Sequence, residues 1–269
     1  VVLERSEHTP LAYDLTLQGV VPCALEERED RRTLSGYRRS ADQIRYHQTG
    51  TASGWIELAG QRIAVRPEQW VMTRDHSWGI RPGVGVPLSD LEPDPVDAHP
   101  PEVLAVWNPV LFQRPDGSVY AFHQYVLRYA GPGWQHERVQ GGFEHPDGRR
   151  EFVRHIEPRL RFDPANRRLL GGECHLRMAD GTERVLTLSV PTATGFHLGA
   201  GLYHGLDGQH HGSWRGALHV EGEYVADCST REAVQRLNPF RDALVRVHDP
   251  YTGATGWGNC QTWVSGPGN

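Results

Sequence analysis

The sequence predicts an all-β protein in two units. Three observations carry that reading. Turn-forming residues are dense, with 30 Gly and 19 Pro in 269 residues. Asp-Gly dipeptides recur between stretches of strand-like composition. Several of those stretches alternate apolar and polar residues with period two, which places alternate side chains on opposite faces of a strand.

Leu11, Tyr13, Leu15 and Leu17 share one face of the first such strand, opposed by Ala12, Asp14, Thr16 and Gln18. A strand pair follows over Gly54 to Ala59 and Arg62 to Arg66. Asp116-Gly117, Asp147-Gly148 and Asp180-Gly181 then mark hairpins, because Gly tolerates the positive φ of a tight turn and Asp bonds its own backbone. Cys174, Leu176 and Met178 alternate with Glu173, His175 and Arg177; Trp214, Leu218, Val220 and Tyr224 predict a further strand. One helix is expected near 229–237, opened by the capping box Ser229 to Glu232 and stopped by Asn238-Pro239. Six prolines between residues 82 and 101 read as a stiff loop. They divide an N-terminal unit, 1–95, from a C-terminal unit, 96–269, long enough for an eight-stranded barrel.

Composition excludes several chemistries. All 28 basic residues of the Lys and Arg class are arginine. Without lysine there is no P-loop or kinase phosphate contact and no Schiff-base nucleophile. Codon bias accounts for the choice of arginine over most of the chain. The net charge of −5 argues against a nucleic-acid partner. No apolar run reaches the roughly 18 residues that span a bilayer. Cys23, Cys174, Cys228 and Cys260 have no metal-site or scaffold spacing. They read as reduced thiols and, with no secretory signal pattern at the start, predict a cytoplasmic protein. Neither a G-x-S-x-G elbow nor a strand-borne G-x-G-x-x-G is present, and no cofactor is expected.

The densest cluster of reactive side chains is Arg74-Asp75-His76-Ser77-Trp78-Gly79-Ile80-Arg81. A carboxylate beside an imidazole can divide acid and base roles, and a tryptophan lowers local polarity. A structural Asp that caps a turn fits the same residues. Tyr203-His204 and His210-His211 lie in a glycine-rich loop, but their spacing matches no metal motif, so no metal is expected there. Alternation puts His123 and Tyr125 on one face with Val119, Ala121 and Leu127, and Arg154 on one face with Phe152 and Ile156. If those faces line a barrel, all three enter its interior. A buried arginine there holds a ligand carboxylate or pairs with a core acid.

Asp75-His76-Ser77-Trp78-Gly79 resembles the Asp-His-x-Trp-Gly signature of the tandem lipocalin-like proteins, a group with carotenoid 1,2-hydratase (hydroxyneurosporene synthase), AttH-like proteins and natural-product cyclases. Tyr46-His47-Gln48 before it, then Trp107, Asp116-Gly117 and Leu127-Arg128 after it, fit in the same order. The resemblance covers about residues 40 to 266. It implies two lipocalin-like antiparallel barrels with an apolar ligand cavity, the first incomplete because little chain precedes Asp75. It also implies cofactor-free, acid-assisted hydration, isomerisation or cyclisation of an isoprenoid or polyketide-like substrate. Asp75 is then the acid and His76 its partner. Trp78, Arg81, Trp107, His123, Tyr125, Arg154, Tyr203 and His204 contact the ligand. The alternative is a non-catalytic carrier of a small apolar or amphipathic molecule, with Asp75 and the arginines bracing the junction between units.

Overall fold

The structure, a computed structural model, describes residues 1–269 apart from 7–9, 34–37, 82–83, 87–88, 90–99, 165–166, 193–194, 198–209, 221–223, 228–229, 237–240 and 267–269. Its strands form two antiparallel sheets.

The N-terminal sheet is built around one long strand, β5 (Arg39–Leu58). Along one side of it run β2 (Leu11–Gly19), β3 (Ala24–Leu25) and β4 (Glu29–Arg32); along the other run β6 (Gln61–Val65) and β7 (Val71–Ile80). β1 (Val2–Leu3) pairs with β2. The sheet stays open. Its apolar face carries Leu15, Ala52, Ile56, Val65, Trp70 and Met72, the smaller of the two cores.

The second sheet is formed by β8 (Glu102–Gln113), β9 (Val119–Gly131), β10 (Trp134–Glu144), β11 (Arg150–Phe162), β12 (Leu169–Met178), β13 (Glu183–Ser189), β14 (Gly195–His197), β15 (Arg241–Asp249) and β16 (Ala254–Ser265). Pairing of β13 with β15 closes eight of these strands into a barrel, with β14 added alongside β15. The hairpins β8–β9, β10–β11 and β12–β13 turn on the three Asp-Gly pairs. Gly117, Gly148 and Gly181 have φ of 85°, 86° and 91°, and each Asp carboxylate accepts the backbone N–H two residues on, at 2.9 Å. Val106, Val110, Phe112, Phe122, Val126, Phe143, Ile156, Leu176, Leu186 and Val245 fill the barrel. Its floor is a buried polar plug: Tyr120 donates to Asp249 at 2.6 Å, and Arg184 pairs with the same carboxylate.

Three expectations are corrected. Residues 213–220 form no strand, and Trp214, Leu218, Val220 and Tyr224 are exposed. Both sides of β15 are taken, by β16 on one and by β13 and β14 on the other, and among the described strands none pairs with this segment. Arg154 is exposed, because a bulge between Val153 and His155 breaks the alternation and sends Val153 and Ile156 inward. The helix, α1 (Arg231–Arg236), is a short one whose cap is the Thr230 hydroxyl, accepting from Ala233 N–H at 3.2 Å. Ser229 lies outside the described residues, as does most of the proline stretch between β7 and β8. Among the described residues no helix is long and apolar enough to cross a membrane.

Phe122 is 1% exposed, with its ring 5.0 Å from that of Phe143. Phe122→Ala is expected to cost about 3–5 kcal/mol of stability through the cavity it leaves, measured by urea unfolding.

Candidate functional site

The barrel's outer wall at β8–β10 packs against one face of the N-terminal sheet. Strand parity decides which residues meet there. On β5 the odd-numbered residues Ala41, Gln43, Arg45, His47 and Thr49 point to the barrel, joined by Glu26, Glu29 and Arg31 from the β3–β4 side and by Thr73 and Asp75 from β7. On the barrel, Trp107, His123 and Tyr125 stand in register on β8 and β9, with Gln140 and Glu144 on β10. His123 and Tyr125 therefore face outward into this seam. Alternation assigned them one face correctly, but the interior belongs to their even-numbered neighbours Phe122, Gln124 and Val126.

The seam is buried yet polar. Glu26, His47, Trp107, His123 and Glu144 are each 6% exposed or less. Glu26 is the hub. Its Oε1 accepts from Trp107 Nε1 at 3.1 Å and His47 Nδ1 at 3.2 Å. Its Oε2 accepts from Arg45 Nη2 at 2.8 Å and Gln140 Nε2 at 3.3 Å. Burial alone pushes the Glu26 carboxyl up, but the contacts with His123 and His47 and the charge of Arg45 outweigh it and hold the group well below the usual carboxylate range.

His47 sits between two carboxylates, since its Nε2 is 2.9 Å from Glu144 Oε1. Only an imidazolium can donate in both directions. Burial lowers the His47 pKa, while Glu144 and Glu26 raise it further than burial lowers it. His123 stacks on His47 with ring centroids 3.6 Å apart and planes 16° from parallel. Burial, then the neighbouring charge of His47, lowers the His123 pKa to about 4, so this ring is neutral. Its Nε2 lies 3.3 Å from Glu26 Oε1 but outside hydrogen-bonding directions, and it has no hydrogen-bond partner.

A second polar group lies at the margin of the seam. Asp242 on β15 accepts from Asn259 Nδ2 at 2.7 and 2.9 Å and from Gln261 Nε2 at 3.4 Å. Asn259 in turn accepts from Thr73 across the seam at 2.7 Å. Burial and the charge of Asp75 push the Asp242 carboxyl up to about 6. Asp75 is exposed, and its charge is also felt by Arg45.

The signature strand is thus split by its own alternation. Asp75 pairs in register with His47 and faces the seam. His76 and Trp78 point to the opposite, apolar face, where His76 stacks on Tyr46 at 5.4 Å and Trp78 lies 6.3 Å from it. Adjacent strand residues cannot meet, so His76 is not the partner of Asp75. Gly79 is required for packing: at φ 120°, a Cβ would lie 2.1 Å from the Asp42 carbonyl oxygen. Arg81 follows the strand and donates to Ser77 at 3.5 Å. The exposed Arg154 sits apart from these groups on β11, and Tyr203 and His204 lie outside the described residues.

Of the residues singled out in the sequence, Asp75, Trp107, His123 and Tyr125 lie in the seam; Glu26, Glu144 and Asp242 were not singled out, and His47 entered only through the segment Tyr46-His47-Gln48. Glu26 stands in Glu26-Glu27-Arg28-Glu29-Asp30-Arg31-Arg32, which reads as a solvated charge run. The usable signal was the β5 alternation, where Arg45 and His47 share a face with Ala41.

The Asp242 shift sets a pH dependence. An unfolded Asp ionises near its ordinary value of 3.8, whereas folded Asp242 keeps its proton to about 6. Its cost to stability is therefore absent below about pH 4, grows through pH 4–6 and is complete above, on the order of 3 kcal/mol. Asp242→Asn removes the titrating proton and is expected to gain stability over the native chain at pH 8 but not at pH 4. Paired thermal melts at the two pH values check this.

Among solved structures, kievitone hydratase from Nectria haematococca is similar over 97% of this chain and 63% of its own, at 11% identity and a TM-score of 0.47. An AttH of provisional assignment from Nitrosomonas europaea is similar over 98% of this chain and 64% of its own, at 12% identity and a TM-score of 0.48. The chain thus spans just under two thirds of the length of either. No curated protein matches the sequence. A family model matches residues 1–256, nearly the whole chain, and is described as a family of unknown function. The chain belongs to that family, DUF8625.

Proposed function

We propose that the protein binds a small apolar or amphipathic molecule along β7, on the apolar face of the N-terminal sheet. The observation that supports this most is the Tyr46–His76–Trp78 cluster. Its three rings lie within 6.3 Å of one another, and Trp78 is 50% exposed. Leu25, in register with Tyr46, is exposed beside it, and so is Ile80. Scattered exposed apolar residues are ordinary, whereas a contiguous group with aromatic faces favours binding. The Arg74 guanidinium lies 5.1 Å over the Tyr46 ring and offers an anchor for a polar or anionic end. The barrel interior is an unlike host, since Phe112, Phe122, Phe143 and Ile156 fill it.

A second reading, acid-assisted hydration, isomerisation or cyclisation, is favoured by the carboxyl pair Asp75 and Asp242. A buried carboxyl raised toward neutrality can act as a general acid. Burial and the charge of Asp75 push the Asp242 carboxyl up to about 6, so it keeps its proton in weakly acidic solution and can serve there as the acid. β7 pairs only with β5 among the described strands. A molecule lying along its free edge meets Trp78 on one side and Asp75 on the other.

Titration with a fluorescent polyene fatty acid tests the binding reading. One saturable site per chain is expected. Trp78→Ala and Tyr46→Ala should each weaken it about tenfold, the loss of one aromatic contact. Trp257→Ala, on the outer barrel wall, should leave it unchanged. Equal affinity in the native chain and Trp78→Ala contradicts the proposal. For the second reading, Asp242→Asn should retain binding and lose turnover of any substrate identified by native mass spectrometry of the co-purified ligand.

A further inference from the structure

The buried seam contains a donor set that the binding reading does not use. One ligand atom from each of Glu26, His47 and His123 lies within 4.8 Å of the other two. Two of the separations are 3.2 Å, Glu26 to His47, and 3.3 Å, Glu26 to His123. Ligand atoms around a tetrahedral ion with bonds of about 2.0–2.1 Å sit roughly 3.3 Å apart. Two imidazole nitrogens and one carboxylate oxygen form a donor set that suits a borderline divalent ion such as zinc.

Two further observations point to an ion. His123 Nε2 is a buried nitrogen on a 3% exposed residue, with no hydrogen-bond partner. Such orphaned atoms are rare and call for an occupant. The far nitrogen of His47 is held by Glu144 at 2.9 Å. That carboxylate–histidine arrangement orients a metal-binding imidazole and leaves its near nitrogen to the ion. Glu144 is itself fixed by Arg150 at 3.2 Å.

We propose that Glu26, His47 and His123 form a site for one divalent transition-metal ion between the two units. The ion replaces the proton on His47 Nδ1, so one proton leaves as one ion enters. Glu26 Oε1 exchanges its bond from His47 for a bond to the ion, and Arg45 stays on Oε2. The stacked imidazoles must unstack, since an ion common to both lies in neither present ring plane. His123 is the ring that turns, because its Nε2 breaks no hydrogen bond in doing so. Three protein ligands leave a fourth position for water. The ion holds the β3–β4 connection and β5 to β9, so it ties the N-terminal sheet to the barrel.

The test uses the full chain, stripped with chelator and titrated with Co²⁺ and with Zn²⁺. One Co²⁺ per chain is expected, with the strong visible absorption of a four-coordinate site, displaced by Zn²⁺. Calorimetry in buffers of different ionisation enthalpy should show one proton released per ion. His123→Ala and His123→Gln, which leave the Glu26–Arg45–His47–Glu144 network in place, should each lower affinity at least tenfold. Glu144→Gln should lower it about 10–100-fold. His175→Ala, outside the seam, should not change it. No stoichiometric Co²⁺ uptake, or uptake equal in the native chain and both His123 variants, overturns the proposal.

Discussion

The Glu26 carboxylate is the constraint on which the junction of the two units depends. An ionised carboxylate taken out of water costs several kcal/mol unless its lone pairs are satisfied. Here four donors satisfy it, and they come from both units: Arg45 and His47 from the N-terminal sheet, Trp107 and Gln140 from the barrel. Neither unit alone supplies the full set. The same argument extends outward. An imidazolium at His47 needs a second carboxylate, which is Glu144 of the barrel, and Glu144 in turn takes Arg150. The chain therefore joins its halves by a polar layer of paired charges with directional bonds, which fixes their relative register more narrowly than apolar packing would.

This layer explains the burial of β8 and β9. Both strands are covered on their two faces, by the barrel core inside and by the N-terminal sheet outside. It also explains the division of labour on β7. One face of that strand contributes to the polar seam through Thr73 and Asp75, and the other carries His76 and Trp78 toward the apolar side. A single signature segment thus serves two faces of one sheet, and its residues act in two different places.

How much of this was legible follows from what alternation encodes. The three Asp-Gly hairpins and the buried run Cys174, Leu176, Met178 could be read directly, because turn chemistry and period two are local. Alternation also grouped His123 with Tyr125, but it gives a face and not a side. In a barrel strand packed on both faces the inside and outside are equally buried, so polarity does not distinguish them. Arg154 failed for a different reason: one bulged residue reverses the parity beyond it. Glu26 and Glu144 were hidden because a buried carboxylate and a solvated one look alike until their partners, about 20 and 100 residues away, are in place. The isolated alternation around Trp214 misled because period two is a pattern within one segment, whereas a strand also needs a partner, and no described strand pairs with residues 213–220.

The most direct measurement is a double-mutant cycle across the seam, Glu26→Gln with Trp107→Phe, followed by urea unfolding of the full chain. If Glu26 joins the units through its bond from Trp107, the two changes are coupled by about 1–2 kcal/mol. Additive effects, with coupling under about 0.3 kcal/mol, would contradict the role of Glu26 as the hub of the junction.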